Sequence, residues 1–319
     1  YTVNHLGRVA DSMANKSKIE FTGQRHIAKI KWRTGEVDFT YHNTPGQYAL
    51  KQIEIKESQK VLSGGSHDFV SVCKLLFDHS LFPNGELKLD AIRQDYGTHK
   101  QYLYSFKYNM SVNLPGSNSM EYDHWGYYNG SKATTHLPRV YIRELQKYLL
   151  GANRAPSFEH SKANILEEVT NGRGVTVKYI YEQHDASASA NQGLIIFGGA
   201  RIKYIVQQNG SRTDTLRSFN YYLPNSERDV SSGKIKQWPD GICYYTTQYE
   251  AETEKQVFND SPRAINEILD FSGNHLTYSN GTEIFPNGTY IIYKYDTGTD
   301  EATKSSARGN AYRHPSSQL

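Results

Sequence analysis

A hairpin unit that recurs along most of the chain is the feature that most constrains its fold. Each unit has a strand of alternating polarity, a turn with Gly or polar residues, and a second strand with Phe or Tyr at every other position. The unit occurs about seven times, and clear copies lie at residues 27–42, 87–108, 165–182 and 201–223. Because successive side chains of a strand point to opposite faces, this period of two predicts antiparallel hairpins.

Turn residues and aromatic content agree with this prediction. Type I′ hairpin turns need a positive φ at both central residues, which Asn-Gly supplies. Six Asn-Gly dipeptides begin at Asn84, Asn129, Asn171, Asn209, Asn280 and Asn287. The 25 Tyr residues suit a sheet with one packed and one wet face. We therefore predict an all-β chain in which repeated antiparallel hairpins form a large twisted sheet, curled into a shell or packed as a two-sheet super-sandwich.

Two stretches depart from this rhythm of hairpins. Residues 139–151, RVYIRELQKYLLG, place Tyr141, Leu145 and Tyr148 at helical spacing and end in Gly, which predicts one short helix. Residues 184–192, HDASASANQ, are small and polar, which predicts a mobile loop.

These features divide the chain into regions. We expect an N-terminal hairpin-repeat region at residues 1–138, a helix and connector at 139–162, a C-terminal hairpin-repeat region at 163–300 and a flexible tail at 301–319. The two hairpin regions could equally form one continuous domain. No run approaches the ~20 apolar residues of a membrane span, and the N-terminus lacks the shape of a signal peptide, which fits a start inside a longer precursor.

Charge and cysteine usage argue against several classes of function. A net charge of +3, from 36 basic and 33 acidic residues spread along the chain, lacks the basic patch of a nucleic-acid binder. Cys73 and Cys243 are isolated, so they are buried apolar residues or, less often, a single bridge. The 12 His residues show no metal-ligand spacing, so we predict no metal and no cofactor.

The main candidate site is a dense aromatic run with the sequence DHWGYYNG, called the aromatic block below. Asp123 beside His124 could orient an imidazole as a general base, and Trp125, Tyr127 and Tyr128 could stack on sugar rings. The alternative, which we favour, is a packed aromatic loop whose Asp and His side chains bond to backbone groups.

The remaining candidate residues carry weaker signals. Trp238 is a further candidate for stacking on a ligand. A glycosidase needs two carboxylates roughly 5 to 10 Å apart, and Glu121 with Asp123 is the pair near the aromatic block. Gly198 and Gly199 precede an alternating strand without a phosphate-binding pattern, so they predict a bulge or a bend where chain segments pass closely. We assign no catalytic residue.

The residues around the aromatic block resemble a known family. The run EYDHWGYYNGSKATTHLP at residues 121–138 resembles the DHWGYYNG-then-Pro signature of large cell-surface proteins of the Bacteroidetes that carry YD or Rhs-type repeats. Blocks at residues 151–182, 197–206 and 273–298 agree with that family in the same order. Ala200 departs from the family pattern, in which Gly or Leu is more typical, and this change affects turn geometry rather than chemistry.

The resemblance implies export, an extracellular or outer-surface location, and a sheet-forming region attached to further repeats or to a variable C-terminal module. It implies no catalytic residues. We therefore expect a non-enzymatic β-scaffold or interaction segment of a larger bacterial surface protein, whose partners are other segments of the same polypeptide or a second protein. The alternatives are a carbohydrate-binding module that uses exposed Trp and Tyr rings on a glycan, and a glycoside-acting enzyme.

Overall fold

The structure is a computed structural model of the chain. It describes residues 2–3, 9–10, 26–44, 47–60, 67–116, 118–135, 139, 141–142, 147–148, 151–189, 192–224, 230–235, 242–250, 253–261 and 276–295. The predicted tail at residues 301–319 lies outside this part of the chain.

The described residues form strands almost throughout, which confirms the all-β prediction. Strands β1 to β10 are Thr2–Val3, Val9–Ala10, Lys29–Trp32, Gly35–Thr44, Gln47–Lys60, His67–Leu81, Leu87–Asp95, Lys100–Tyr108, Tyr141–Ile142 and Lys147–Tyr148. The helix α1, Phe158–Ser161, follows β10. Strands β11 to β20 are Leu166–Asn171, Thr176–Ser189, Gln192–Asn209, Arg212–Asn220, Gly233–Ile235, Ile242–Glu250, Thr253–Ser261, Leu276–Tyr278, Asn280–Ile284 and Tyr290–Lys294. In this part of the chain no helix is long and apolar enough to span a membrane.

Twelve of these strands form one antiparallel sheet. Its order is β20-β19-β14-β13-β12-β11-β8-β7-β6-β5-β4-β3, so most neighbours are consecutive hairpins in the chain. The sheet is open, with β20 at one edge and β3 at the other. Three smaller sheets have the orders β16-β17-β1-β2, β10-β9 and β15-β18. Local alternation and turns therefore specify the large sheet strand by strand, as repeated hairpins predict.

Register shifts interrupt most of the strand pairs in the large sheet. The β12–β13 pair alone contains two of them. A β-bulge bends the strand that carries it and increases its right-handed twist. These bulges therefore twist and bend the sheet along most of its width.

The Asn-Gly dipeptides mark turns at most of their positions. Gly210 and Gly288 have φ of +60° and +81° in the turns that follow β13 and β19, where a glycine meets no steric cost. The prediction is wrong at Asn280, which begins β19 and pairs with β20. Gly281 is therefore a strand residue, and no turn requires a glycine there.

The predicted helix at residues 139–151 is wrong in its position. In the described part of this stretch, Tyr141–Ile142 and Lys147–Tyr148 form an antiparallel pair of strands, whereas the helical residues are Phe158–Ser161. The prediction depended on a few residues at helical spacing, and so short a run fits either period. Tyr and Ile favour extended backbone, which accounts for β9.

The large sheet continues across the predicted connector at residues 139–162. Strands β8 and β11 pair directly, with Phe106 opposite Val169 and Lys107 opposite Glu168. Strands from before and after the connector therefore belong to one sheet. The division of the whole chain into regions stays a prediction.

The predicted mobile loop at residues 184–192 is wrong. Most of this stretch lies in the arms of the β12–β13 hairpin, where Asp185 pairs with Ile196 and Ala186 with Ile195. Asp185 and Ala186 are buried because other parts of the chain pack against the hairpin here. The small polar residues thus mark a close approach of chain segments rather than a loop.

The densest apolar cluster of the described residues lies between the aromatic block and the β12–β13 hairpin. Phe197 of β13 is fully buried, and its ring centroid lies 4.9 Å from that of Trp125. Ala186 of β12 and Leu276 of β18 complete the cluster. The core is therefore local, because it forms where other segments of the chain cover one face of the large sheet.

Replacing Phe197 tests this core. Phe197→Ala should lower the free energy of unfolding by about 3–5 kcal/mol, because it removes a fully buried ring and leaves a cavity. Leu194→Ala is the control, since Leu194 lies on the same strand but is 48% exposed; it should cost less than about 1 kcal/mol. Urea unfolding followed by circular dichroism measures both, and equal losses would contradict the placement of the core.

Candidate functional site

The aromatic block forms a tight loop that its own hydrogen bonds close. Tyr122 and Tyr128 form an antiparallel bridge, and the Asp123 N–H donates to the carbonyl of Tyr127 at 2.8 Å. Inside the loop, Asp123 Oδ1 accepts the N–H groups of Trp125 at 2.8 Å and Tyr127 at 3.0 Å. One carboxylate oxygen therefore reinforces the backbone hydrogen bonds that close the loop.

The Asp123 carboxylate is buried and only partly paired. The residue is 1% exposed, and its Oδ2 has no hydrogen-bond partner among the described residues. Oδ2 lies against Gly198, where an added Cβ would overlap it. Burial raises the pKa of Asp123 to about 6, although the N–H donors and the charge of Arg154 act in the opposite direction. Asp123 therefore titrates in mildly acidic solution.

The two adjacent glycines of β13 lie beneath this loop. A Cβ at Gly199 would lie 2.7 Å from Tyr127 Cζ, and the φ of Gly199, +87°, is one that side chains rarely allow. The register of β12 with β13 shifts between Gln183 and Asp185, opposite the glycines. This confirms the prediction that Gly198 and Gly199 form a bulge where chain segments pass closely.

Trp125 lies at the centre of the contact between the loop and the sheet. Its ring is buried and packs edge-on against Phe197, with 65° between the ring planes. The His124 ring contacts the Trp125 ring at 5.9 Å, and the His124 N–H donates to the Arg154 carbonyl at 3.2 Å. A buried indole offers no open face to a sugar, so Trp125 acts here as a packing residue.

The end of the aromatic block packs against the segment that contains α1. The Tyr128 ring lies 5.3 Å from the ring of His160. Asn129 is buried, and its Nδ2 donates to the carbonyls of Asn153 and Ala155 at 2.9 and 3.0 Å. The structure thus brings the five predicted residues of the block together in a packed loop.

The sequence singled out two further residues, Trp238 and Glu121. Trp238 is outside the described residues. Glu121 Oε2 accepts the N–H of Lys132 at 3.0 Å. Both carboxylates of the candidate glycosidase pair, Glu121 and Asp123, therefore accept backbone N–H groups and help to hold the loop.

Arg154 is a residue of this site that the sequence patterns did not reveal. Its buried guanidinium donates from Nη1 to the carbonyls of Met120 and Tyr122 at 2.7 and 2.6 Å, and from Nη2 to that of Thr135 at 3.1 Å. Its Cζ also lies 3.9 Å from the centroid of the Tyr122 ring. Burial lowers the pKa of Arg154, but a guanidinium stays charged in proteins. Arg154 therefore links three backbone positions around the loop.

A second buried cluster lies on β12 and β13. Arg201 donates from Nη1 and Nη2 to the two carboxylate oxygens of Asp185 at 3.0 and 2.8 Å, and from Nε to Glu182 at 2.7 Å. Burial lowers the pKa of Arg201, but the hydrogen bonds to Asp185 and Glu182 outweigh it and raise the value above the usual range. A bidentate pair of this kind fixes both side chains.

Two tyrosine rings pack against the Arg201 guanidinium. The centroids of Tyr221 and Tyr278 lie 4.4 and 4.9 Å from its Cζ. Tyr278 Oη accepts a hydrogen bond from Arg201 Nη1 at 2.6 Å and lies 2.9 Å from His184 Nδ1. Burial raises the pKa of Tyr221 to about 12 and that of Tyr278 above its usual range. Both hydroxyls therefore stay protonated, and the cluster joins β18 to the large sheet.

Metal and disulfide chemistry were the other possibilities for this chain. Within the described residues, no three His, Cys, Asp or Glu side chains are grouped as metal ligands. Cys73 is a free thiol, and its Sγ accepts a hydrogen bond from Gln94 Nε2 at 3.1 Å. The side chain of Cys243 is outside the described ones.

Comparison with known proteins gives no family assignment. No protein-family model matches the chain, and no curated protein sequence matches it either. The candidate function therefore depends on the geometry of these clusters and of the sheet.

The pH dependence of stability tests the burial of Asp123. Its pKa is about 6 in the folded chain against an ordinary 3.8, so the folded state binds the proton more tightly. Wild-type stability should therefore fall as pH rises from 4 to 6, by up to about 3 kcal/mol from this group. Asp123→Asn stays neutral, so it should gain stability relative to wild type over that range, as urea unfolding at several pH values would measure.

Asp38→Asn is the control for the sign of this effect. Hydrogen bonds from Lys56 and Lys29 lower the pKa of Asp38, so its charge stabilises the folded state at higher pH. This variant should lose stability relative to wild type as pH rises towards the ordinary pKa of 3.8, and the difference should then change little from pH 4 to 6. If the difference in unfolding free energy between wild type and Asp123→Asn stayed constant from pH 4 to 6, the account of Asp123 would be contradicted.

Proposed function

We propose that this chain is a non-enzymatic extracellular β-scaffold or interaction segment of a larger bacterial surface protein of the YD or Rhs type. Its partners are other segments of the same polypeptide or a second protein. The observation that carries the proposal is the apolar surface that the large sheet leaves exposed.

Exposed apolar side chains follow several strands of the sheet. Val70 and Val72 on β6, and Tyr102 and Tyr104 on β8, are all exposed. These exposed side chains lie on two separate strands near the middle of the large sheet. Large apolar patches on soluble proteins mark interaction surfaces. A scaffold covered by a partner would bury such side chains, whereas an isolated domain leaves them in water.

The two edges of the sheet differ in chemistry. Strand β3 carries Lys29 and Lys31, and Lys29 forms ion pairs with Glu36 and Asp38 of β4. Charged residues on an edge strand discourage pairing with another chain. Strand β20, with the sequence YIIYK, is exposed at all five positions and has a charge only at its end. The β20 edge therefore suits the addition of a further strand.

The register of β20 shows which of its backbone groups face the outer edge. The Tyr295 N–H donates to the carbonyl of Ser279 at 2.9 Å, on the β19 side. Inward and outward groups alternate along an antiparallel strand. The N–H groups of Lys294 and Ile292 therefore point away from β19. There the carbonyl groups of an added strand could accept hydrogen bonds from them.

The packing of the aromatic block supports the non-enzymatic part of the proposal. Asp123 uses Oδ1 to hold backbone N–H groups, and Trp125 is buried against Phe197. These groups stabilise the contact of the loop with the sheet. The block therefore serves a scaffold better than it serves a sugar-stacking platform built on Trp125.

Surface labelling of intact bacterial cells that carry the parent protein tests the location and the partner together. Lys294 is exposed beside the β20 edge, so a membrane-impermeant amine reagent should label it before lysis. An amine-reactive cross-linker should then join Lys294 to another segment of the polypeptide or to a second surface protein. Labelling that requires lysis would contradict the extracellular assignment.

Variants of Ile292 test whether the β20 edge accepts a strand. Ile292→Pro removes an outward N–H and leaves the bonds to β19, a substitution that edge strands tolerate. We expect it to abolish the Lys294 cross-link, while Ile292→Val, which keeps the N–H, should preserve it. Equal cross-linking in the two variants would count against strand addition at this edge.

A further inference from the structure

An aromatic cleft of about 640 Å³ opens on the sheet beside β20. Residues of β12, β14, β18, β19 and β20 line it. This volume falls within the range of roughly 300–1,000 Å³ that small-molecule sites occupy. The cleft shares no residue with the aromatic block.

The cleft is open because Gly281 of β19 has no side chain. Gly281 lies opposite Tyr293 of β20, and the register of β14 with β19 leads to Tyr221 on its other side. A Cβ at Gly281 would have no atom of the described residues within 4 Å. Since no turn or tight packing requires this glycine, its effect is to leave space between two aromatic rings. A glycine inside a strand often marks a place that a ligand approaches.

Two exposed tyrosines form one wall of the cleft. Tyr293 and Tyr295 share a face of the strand, and their ring planes are 12° from parallel with centroids 6.3 Å apart. The hydroxyl of Tyr293 donates to Glu283 Oε2 at 2.8 Å, which fixes the orientation of its ring. Because the orientation of the ring is fixed before binding, it can pack against a ligand while its hydroxyl edge stays in water.

The charged groups at the cleft are already paired within the protein. Glu283 Oε1 accepts a hydrogen bond from Arg217 Nε at 2.8 Å, and Glu283 Oε2 accepts one from the Tyr293 hydroxyl. Arg201, which is next to the cleft, is paired with Asp185. A bound ion would have no unpaired opposite charge among these groups to compensate it. The cleft is therefore complementary to an uncharged ligand.

The geometry points to a binding site for a neutral saccharide in this cleft. A sugar ring has an apolar face of C–H groups, which packs on Tyr293 and Tyr295, and a rim of hydroxyls, which meets polar residues of the lining such as Thr282 and Glu283. Gly281 provides the space that a ring needs beside Tyr293. The site lies within the scaffold proposed above and uses none of its aromatic-block residues.

Glycan binding by the full chain tests this inference. An array of neutral and acidic glycans should retain the protein on neutral ones. Titration calorimetry with cellohexaose, maltohexaose and laminarihexaose then measures the affinity. Binding to none of the neutral glycans, or to acidic glycans alone, would overturn the assignment.

Gly281→Val is the decisive variant. It fills the cleft with a residue that favours strands, so binding should fall below detection while the thermal midpoint is unchanged or rises. Gly116→Val is the matched control, because a Cβ at Gly116 also meets nothing within 4 Å and lies away from the cleft. It should bind like wild type. Full affinity in Gly281→Val would overturn the proposal.

Replacement of a tyrosine tests the stacking itself. Tyr295→Ala should weaken binding about tenfold through the loss of one packed ring. Tyr102→Ala is its control, since Tyr102 and Tyr295 are both 58% exposed but Tyr102 lies on β8. Equal affinities in these two variants would place the sugar elsewhere.

Discussion

The structure depends on one close approach, between the loop of the aromatic block and the bulge of β13. Asp123 turns the loop by accepting two backbone N–H groups, and this presents Trp125 to Phe197. Gly198 makes the approach possible, since any side chain there would overlap the Asp123 carboxylate. The apolar contact of Trp125 with Phe197 offsets the cost of burying that carboxylate, whose raised pKa reports the cost.

This contact accounts for a dense core at one place, while apolar side chains on other strands are exposed. Where the loop and β18 cover the β12–β13 hairpin, Phe197 and Ala186 are buried. Where no other described segment packs on the strands, as at Val70 and Tyr102, large side chains are exposed. The proposed scaffold function and the proposed saccharide cleft are two uses of this uncovered surface.

The parts of the fold that could be predicted are those encoded locally. Alternating side chains and most of the Asn-Gly turns specify hairpins without reference to distant residues, and the glycine pair correctly indicated a bulge. Prediction failed where a distant contact decides the structure. The small residues Asp185 and Ala186 suggested a loop, but they are small because other segments pack on them. Asn280 suggested a turn, but its register with β20 places it in a strand.

The candidate site shows the same division. The sequence drew attention to Asp123 and Trp125 through their density of aromatic and polar neighbours. It gave no sign of Arg154, because that side chain reaches backbone carbonyls that are about 20 to 35 positions earlier in the chain. It also gave no sign of the cleft at Gly281, which is a gap between side chains of several strands.

Native-state hydrogen exchange tests most directly whether the loop and the sheet form one structural unit. The amides of Trp125 and Tyr127 donate to Asp123 within the loop. If the loop keeps this form only while it packs on the sheet, these amides open only when it leaves the sheet. The account predicts that they exchange with the same opening free energy as Ile195 and Phe197 of β13, in one cooperative unit. If the two loop amides exchange through a separate opening of much lower free energy, the close approach does not support the fold and the account is contradicted.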